Sequence, residues 1–477
     1  MIDRQKLYID GAWTNSLSTK SAYVIDPSTE EACATISMGD ASDVNRAVAA
    51  ARASLDDWAA STPTARIALA ERILAVYRAR SDEMAELISM EMGAPIDLAR
   101  AAQVGAGARH ISNFIESFKD FEFIRPAGPR SPGTVISLDP VGVAALITPW
   151  NWPMNQITLK VLPALLAGCT MVLKPSEVSP LSAMLFADIL DEAGVPAGVF
   201  NLVNGDGDTV GAALTSHPAV DMVSFTGSTR AGIAITKASA DTLKKVALEL
   251  GGKGANLIFA DADENAVERG VRHCFMNSGQ SCNAPTRMLV ERSAYERAVE
   301  IASKVAGATQ VASAHLPGKH IGPVVSNVQY EKIQELIAVG IQEGARLVAG
   351  GTGRPAGLDR GYFVKPTVFA NVVPGMRIEK EEIFGPVLSI IPFDSEQEAI
   401  NIANDTVYGL ANYVQTSDEA RRRRVSASLR AGMIENNGVG LGADAFFGGI
   451  KASGRAREGG VAGIEEFLDS KAISAWQ

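Results

Sequence analysis

Two rhythms of apolar and polar residues divide the chain. Up to about residue 120 the pattern is mostly helical. Thr62 followed by Pro63 reads as an N-cap with proline at the first helical position, and Ile67, Ala70, Ile73, Leu74 and Tyr77 then recur at helical spacing. A second helix is predicted to start at Ser81 or Asp82. From about residue 141, short apolar runs alternate with turn residues and helical stretches. The runs are VGVAALIT (141–148), TMVLK (170–174), VFNLV (199–203), VDMVSFT (220–226) and KKVALEL (244–250). After the second run, Ser179-Pro180 is expected to cap a helix that stops near Gly194. Such alternation builds a parallel sheet with right-handed crossovers. A second α/β stretch starts at NLIFAD (256–261) and continues through MLVERS, RLVAGG, VKPTVFANV, GPVLSIIPF and GLANYVQT. The segment Ile124–Asp139 carries three prolines and suits an extended hairpin or arm, with the C-terminal tail a candidate partner.

The stretch 140–159, PVGVAALITPWNWPMNQITL, is uncharged and long enough for a membrane span. Its three prolines and its polar residues Asn151, Asn155 and Gln156 argue for a buried strand, loop and helix instead, because backbone groups freed by proline go unsatisfied in lipid. The 477 residues are 47% apolar and 21% charged, ordinary for a globular chain of two to three domains. A net charge of −10 opposes attraction to nucleic acid or to an anionic membrane surface. The run Arg421–Arg424 follows Asp418 and Glu419 and reads as a solvated helix face. Cys33, Cys169, Cys274 and Cys282 form no C-x-x-C pair, and the five histidines show no H-E-x-x-H spacing, so no metal site is expected. Free cysteines and an N-terminus without an apolar h-region suit a cytoplasmic protein.

Cys282 lies in FMNSGQSCNAPTR, in a turn after a helix that ends near Asn277–Ser278. Taken alone, a free cysteine is more often an inert buried hydrophobe. Small polar neighbours suit exposure into a cleft, and backbone N–H groups there would lower the thiol pKa. Glu249, flanked by Leu248 and Leu250 at the end of an apolar run, is either a surface glutamate or a partly desolvated base whose pKa burial raises. There is no strict G-x-G-x-x-G. Gly205, Gly207 and Gly211, and then Gly227-Ser228 with Gly232, follow strands and open helices whose N-termini suit phosphate. Lys174 and Glu177 sit at the end of the second run, at the edge where nucleotides bind a parallel sheet. An acidic side chain there bonds a ribose diol and repels a 2′-phosphate.

Seven segments in order, TPWN (148–151), LKPSE (173–177), FTGS (225–228), LELGGK (248–253), GQSC (279–282), EEIFGPV (381–387) and FGGIKASG (447–454), resemble the NAD(P)-dependent aldehyde dehydrogenase superfamily over essentially the whole chain. The resemblance implies an α/β fold with a Rossmann-type parallel-sheet cofactor domain (1–121 and 141–250), a second α/β catalytic domain (251–450) and a β oligomerisation arm (122–140 and 451–477). It implies Cys282 as nucleophile, Glu249 as general base, Asn151 as oxyanion donor, and Lys160 and Glu458 as proton-relay residues. Lys174 and Glu177 would hold the adenosine ribose. Thr148, Pro149, Trp150, Ser176, Gly207, Gly211, Phe225, Thr226, Gly227, Ser228 and Leu250 would line the cofactor channel, and Glu382 and Phe384 would position the nicotinamide ribose and ring. Trp152, Asn155, Gln156, Leu159, Ser281, Asn283, Leu441 and Phe447 would line the substrate pocket. Three residues depart from the common pattern: Phe446 in place of proline, Gly254 in place of a small polar residue, and the acidic Glu435.

The implied reaction is NAD-dependent oxidation of an aldehyde to the acid through a cysteine thiohemiacetal and thioester. No Arg or Lys is seen to meet a substrate carboxylate, so the expected substrate is a neutral, medium-sized aliphatic or aromatic aldehyde. A CoA-acylating enzyme and a semialdehyde-specific member are the alternatives; Glu249 favours water over CoA as acyl acceptor. A cysteine hydrolase would want a histidine beside Cys282, and a helix would carry His273 away. A non-catalytic NAD-binding protein would not need both Cys282 and Glu249. The arm suggests a homodimer or homotetramer.

Overall fold

The computed structural model describes residues 1–476; Gln477, the last residue of the expected tail, lies outside the described residues. The N-terminal stretch departs from the helical reading. Five strands come first: β1 (Ile2–Arg4), β2 (Leu7–Ile9), β3 (Ala12–Thr14), β4 (Ser21–Asp26) and β5 (Glu31–Ser37). They are too short for alternation to stand out. The Asp10-Gly11 pair that joins β2 to β3 is nonetheless a hairpin signal, and both residues have positive φ. Four helices follow, α1 (Ala41–Ala59), α2 (Pro63–Ala79), α3 (Ser81–Met92) and α4 (Gly105–Lys119). Thr62 accepts from Ala65 N at the start of α2. A π-helical segment, Ala99–Val104, leads into α4.

Next come β6 (Ile124–Pro126) and β7 (Val135–Pro140), then the alternating run: β8 (Val143–Ile147), α5 (Pro153–Ala167), β9 (Thr170–Lys174), α6 (Leu181–Glu192), β10 (Phe200–Leu202), β11 (Met222–Thr226), α7 (Thr229–Ser239) and β12 (Lys245–Glu249). The uncharged stretch is thus β8, a loop and the start of α5. Among the described residues no helix is long and apolar enough to cross a membrane. The helix α6 does not take the expected serine cap. The buried carboxylate of Glu91, on α3, accepts from Leu181 N at 2.5 Å, Ser182 N at 3.0 Å and Ser182 Oγ at 2.6 Å. A charge from another helix meets the free N–H groups and the positive end of the dipole.

The remaining strands and longer helices are β13 (Ala255–Ile258), α8 (Ala266–Phe275), β14 (Arg287–Glu291), α9 (Tyr295–Ala308), α10 (Asn327–Gln342), β15 (Arg346–Ala349), β16 (Thr367–Ala370), β17 (Val387–Phe393), α11 (Glu396–Asn404), β18 (Ala411–Gln415), α12 (Glu419–Ser428), β19 (Met433–Asn436) and β20 (Leu468–Ile473). On α12, Arg421, Arg423 and Arg424 pair with Asp261, Glu419 and Glu396.

Two seven-stranded sheets organise the chain. The first has the order β12-β11-β8-β9-β10-β2-β3, parallel up to β10 and edged by the antiparallel β2–β3 hairpin. The second runs β15-β16-β17-β14-β13-β18-β19, parallel except for β15. Apolar residues fill both faces of each sheet, as parallel sheets require. The tail strand β20 pairs with β7, and β7 with β6, in a separate antiparallel sheet. Five residues, 250–254, carry the chain from the last strand of the first sheet into the second. Here the backbones nearly touch: a Cβ on Gly252 would stand 2.3 Å from Cys282 O. This seam is where the chemistry-bearing residues collect.

Candidate active site

The helix α8 ends at Phe275, and Asn277, Ser278 and Gly279 then all take positive φ. That reversal turns the chain so that Gln280, Ser281 and Cys282 face the seam. At Gly279 a Cβ would stand 2.1 Å from Gly385 O, so glycine is required there. Buried amides clamp the turn. Asn151 Nδ2 donates to Gln280 O at 3.0 Å, and Asn277 Nδ2 donates to Asn151 O at 2.9 Å. Gln103, from the π-helical segment, donates to Asn151 O at 3.1 Å and to Asn277 Oδ1 at 3.3 Å. Single-turn π segments recur at functional sites, and this one aims an amide at Asn151. Gln103→Leu is therefore expected to lower kcat about tenfold, on the order of 1.4 kcal/mol, with cofactor affinity unchanged in a fluorescence titration. A loss of cofactor affinity with kcat intact would show that Gln103 does not serve Asn151.

Cys282 is half-buried and lines a cavity of about 220 Å³ with Pro149, Trp150, Asn151, Gln156, Thr226, Gly227, Ser228, Leu250, Glu382 and Phe384. Trp150 and Phe384 meet edge to face, 5.4 Å between ring centres. Phe384 has a φ of 61°, a strained conformation for a phenylalanine. The helix α10 holds it there: Gln329 Nε2 donates to Phe384 O at 2.8 Å and Ile383 O at 3.1 Å, and Lys332 Nζ to Glu382 O at 2.9 Å. Glu382 Oε1 accepts from Gly252 N at 2.8 Å.

Glu249 ends β12 beside Thr226 of β11. It is 2% exposed, and neither carboxylate oxygen has a partner. Burial first, and then the nearby carboxylate of Glu458, raise its pKa well above the usual range, while Lys160 and Arg457 pull the other way. Lys160 Nζ donates to Glu458 Oε1 at 2.5 Å and to Ser224 Oγ at 3.1 Å. The two expected relay residues are thus paired, buried, and next to Glu249. Glu249 itself lines neither cavity wall.

The other cofactor candidates form a second group at the ends of β9 and β10. Lys174 Nζ donates to Gly205 O at 2.6 Å, Pro175 O at 2.9 Å and Glu177 Oε2 at 3.4 Å. Burial lowers its pKa. Glu177 remains 38% exposed. Ser176 Oγ accepts from Val178 N, and Gly211 lies beside the Lys174 stem. Around Gly207 there is open space within 4 Å of a would-be Cβ, so a ligand can approach the backbone. Thr148 and Thr226 carry buried hydroxyls without partners. Phe225 is packed in the core, its ring against Gly227.

A second cavity, about 420 Å³, is lined by Leu159, Asn283, Leu441, Phe447 and Glu458 among the expected residues, and also by Arg109, His110, Asn113, Phe114, Met433, Glu435 and Phe446. Cys282 and Phe447 both pack against the cluster of Leu410, Ala411, Tyr413 and Met433, and Met433 and Phe447 wall this cavity. The thiol therefore stands between the two cavities. Trp152 Nε1 donates to Ser281 Oγ at 2.8 Å, and Asn155 Oδ1 bonds His110 Nε2 at 2.8 Å. Gln156 lines the first cavity rather than the second. The expectation that no Arg or Lys faces the pocket needs correction, because Arg109 lies at the exposed rim. It comes from α4, more than 170 residues before the nucleophile, and no local pattern marks it. Two departures from the family pattern have local reasons. A Cβ on Gly254 would stand 2.9 Å from Ala411 O, and the Arg457 guanidinium covers the Phe446 ring at 4.7 Å.

The model of the aldehyde dehydrogenase family matches residues 13–473. The chain belongs to that family. An aldehyde dehydrogenase from Bartonella henselae has 59% sequence identity, covers all of both chains and superposes with a TM-score of 0.99. A mutant of aldehyde dehydrogenase C from Pseudomonas syringae, in complex with NAD+ and octanal, has 48% identity and a TM-score of 0.97, over 99% of this chain and 97% of that one. The 3-succinoylsemialdehyde-pyridine dehydrogenase of a Pseudomonas species is 49% identical over the full length of both.

In this aldehyde dehydrogenase the thiol expectation fails in sign. Burial pushes the Cys282 thiol up, and the carboxylates of Glu382, Glu249 and Glu458 push the same way against a weaker backbone contribution. These carboxylates converge from three distant segments. Sequence reasoning also missed Gln103, Asn277, Gln329 and Lys332. Gln280 stood in view within GQSC, but its role as a clamp depends on partners that only folding supplies.

Proposed function

We propose that this aldehyde dehydrogenase uses NAD and oxidises neutral, medium-sized aldehydes to carboxylic acids through a covalent intermediate on Cys282. The position of Cys282 between an aromatic and glycine-lined cavity and one whose wall mixes apolar with polar and charged residues carries this reading. The residues suit a dinucleotide: an open backbone at Gly207, unpartnered Thr148 and Thr226 hydroxyls, and a partly exposed Glu177 held by Lys174 at the sheet edge. Lys174 and Glu177 would hold the adenosine ribose, and Glu382 and Phe384 the nicotinamide end. When bound, NAD+ supplies the two-electron acceptor for the aldehyde hydrogen.

The Cys282 thiolate attacks the aldehyde carbon, and Asn151 Nδ2–H and the Cys282 N–H receive the oxyanion. One such donor is worth about 3 kcal/mol. With the hydrogen gone as hydride, the carbon is a thioester. Glu249 takes a proton from water, the water oxygen attacks the thioester, and the thiolate leaves. Lys160 and Glu458 pass the proton on. Aldehyde, water and NAD+ give acid, NADH and a proton.

The apolar part of the second cavity's wall (Phe114, Leu159, Met433, Leu441 and Phe447) and the octanal in the complex of the Pseudomonas syringae relative support the substrate class. The semialdehyde dehydrogenase among the relatives supports a semialdehyde-specific reading as runner-up. Residues 1–121 with 141–250 would bind cofactor, 251–450 would carry the chemistry, and 122–140 with 451–477 would join subunits of a homodimer or homotetramer. Four free thiols suit the cytoplasm. The reaction is tested by NADH absorbance across an aldehyde panel with and without CoA; a rate that depends on CoA would replace water as acyl acceptor. Glu177 should make kcat/KM for NAD+ at least about tenfold that for NADP+, about 1.4 kcal/mol of discrimination. Equal values would remove Glu177 from the ribose site.

A further inference from the structure

Glu435 is an acidic residue of the second cavity that the reaction above does not use. It lies on β19 opposite Tyr413 of β18, and Tyr413 Oη donates to the carbonyl of Asn283 at 2.7 Å. One side chain therefore separates this carboxyl from the residue after the nucleophile. Its companions in the cavity wall are Phe114, Leu159, Met433, Leu441 and Phe447. It is half-buried and has no hydrogen-bond or ion-pair partner among the described residues, and burial raises its pKa. The other charged groups of the wall are otherwise engaged or distant in character. Glu458 is held by Lys160, His110 is kept neutral by burial and bonded to Asn155, and Arg109 stands at the exposed rim with its guanidinium turned back along α4 towards Gly105. On its other side Glu435 borders an outer groove, whose Arg269 and Arg272 are already paired with Asp263 and Glu268; Lys319, His273 and His320 also line that groove.

An ionised carboxylate among apolar walls is costly unless a cation accompanies it. A positively charged substrate tail would supply that cation, and a carboxylate tail would add a second negative charge. We propose that Glu435 sets the tail specificity of this cavity: besides neutral aldehydes it admits those carrying a cationic nitrogen, and it turns away those ending in a carboxylate. This rests on the oxidation reading above.

The test compares kcat/KM for three aldehydes of matched length: a trimethylammonium-tailed butanal, its neutral tert-butyl isostere, and a carboxylate-tailed pentanal. The wild-type enzyme should use the cationic aldehyde at least as well as the neutral one and the carboxylate at least tenfold less well. Glu435→Gln should lower the cationic rate about tenfold, raise the carboxylate rate several-fold and leave the neutral isostere within twofold, which also reports an intact fold. Glu435→Asp should keep the wild-type order. Unchanged ratios in Glu435→Gln, with the neutral isostere oxidised briskly, overturn the assignment alone. A wild-type preference for the carboxylate tail overturns it in favour of Arg109. Failure of the wild-type enzyme to oxidise any of the three overturns the reaction itself.

Discussion

Cys282→Ala is expected to abolish aldehyde oxidation, by on the order of a thousandfold or more, while NAD+ still binds with unchanged affinity. The wall proposed to hold the cofactor is built from Trp150, Ser228, Glu382 and Phe384, none of which depends on the sulfur. The neighbouring hydroxyl of Ser281 is engaged by Trp152 Nε1. Turnover within tenfold of wild type in the purified variant would refute the nucleophile. The environment of the thiol gives a second measurement. Burial and three carboxylates disfavour the thiolate in the resting enzyme, so iodoacetamide labelling should be slow at neutral pH. It should rise about tenfold per pH unit in the alkaline range, following the thiolate fraction.

Glu249→Gln is expected to lower steady-state kcat about a hundredfold or more while one equivalent of NADH per active site still forms rapidly. The amide keeps the shape of the side chain and removes its repulsion with Glu458, so Lys160–Glu458 and the strand end should stay in place. Only the water-activating step is lost. The sign of the pH dependence follows from the raised pKa. The base works deprotonated, so kcat of the wild-type enzyme should climb with pH along a limb displaced above the ordinary glutamate value of about 4.3. Acidification through that limb switches deacylation off. The variant should lack the limb. An NADH burst that disappears together with turnover would take Glu249 out of deacylation.

What could be read from the chain tracks how local its cause is. The strands β8 to β12 stand out because each is a mostly apolar run followed within three residues by glycine or proline. The arm at Ile124–Asp139 could be read because it is polar and carries three prolines, and the tail set against it does pair there. By contrast β1 to β5 and β19 span three to seven residues each, too few for a period to show. The Asp10-Gly11 turn was the one local trace of the first hairpin. At the site, residues within compact motifs such as GQSC and LELGGK could be named together. Those outside any motif could not: Gln103 sits on a π-helical segment and Arg109 and Lys332 on ordinary helices, and nothing in their neighbours along the chain says what they face.

By itself the order of residues determined the α/β class, the turn that carries Cys282 and the family of reactions, because apolar period and motif spacing are properties of neighbours along the chain. Tertiary structure alone decided which charges surround the thiol, that Glu91 rather than Ser179 caps α6, and that Arg109 joins Glu435 in the wall of the second cavity. Electrostatic energy depends on distance through space and on exclusion of water. Those two quantities exist only once segments hundreds of residues apart have packed against one another.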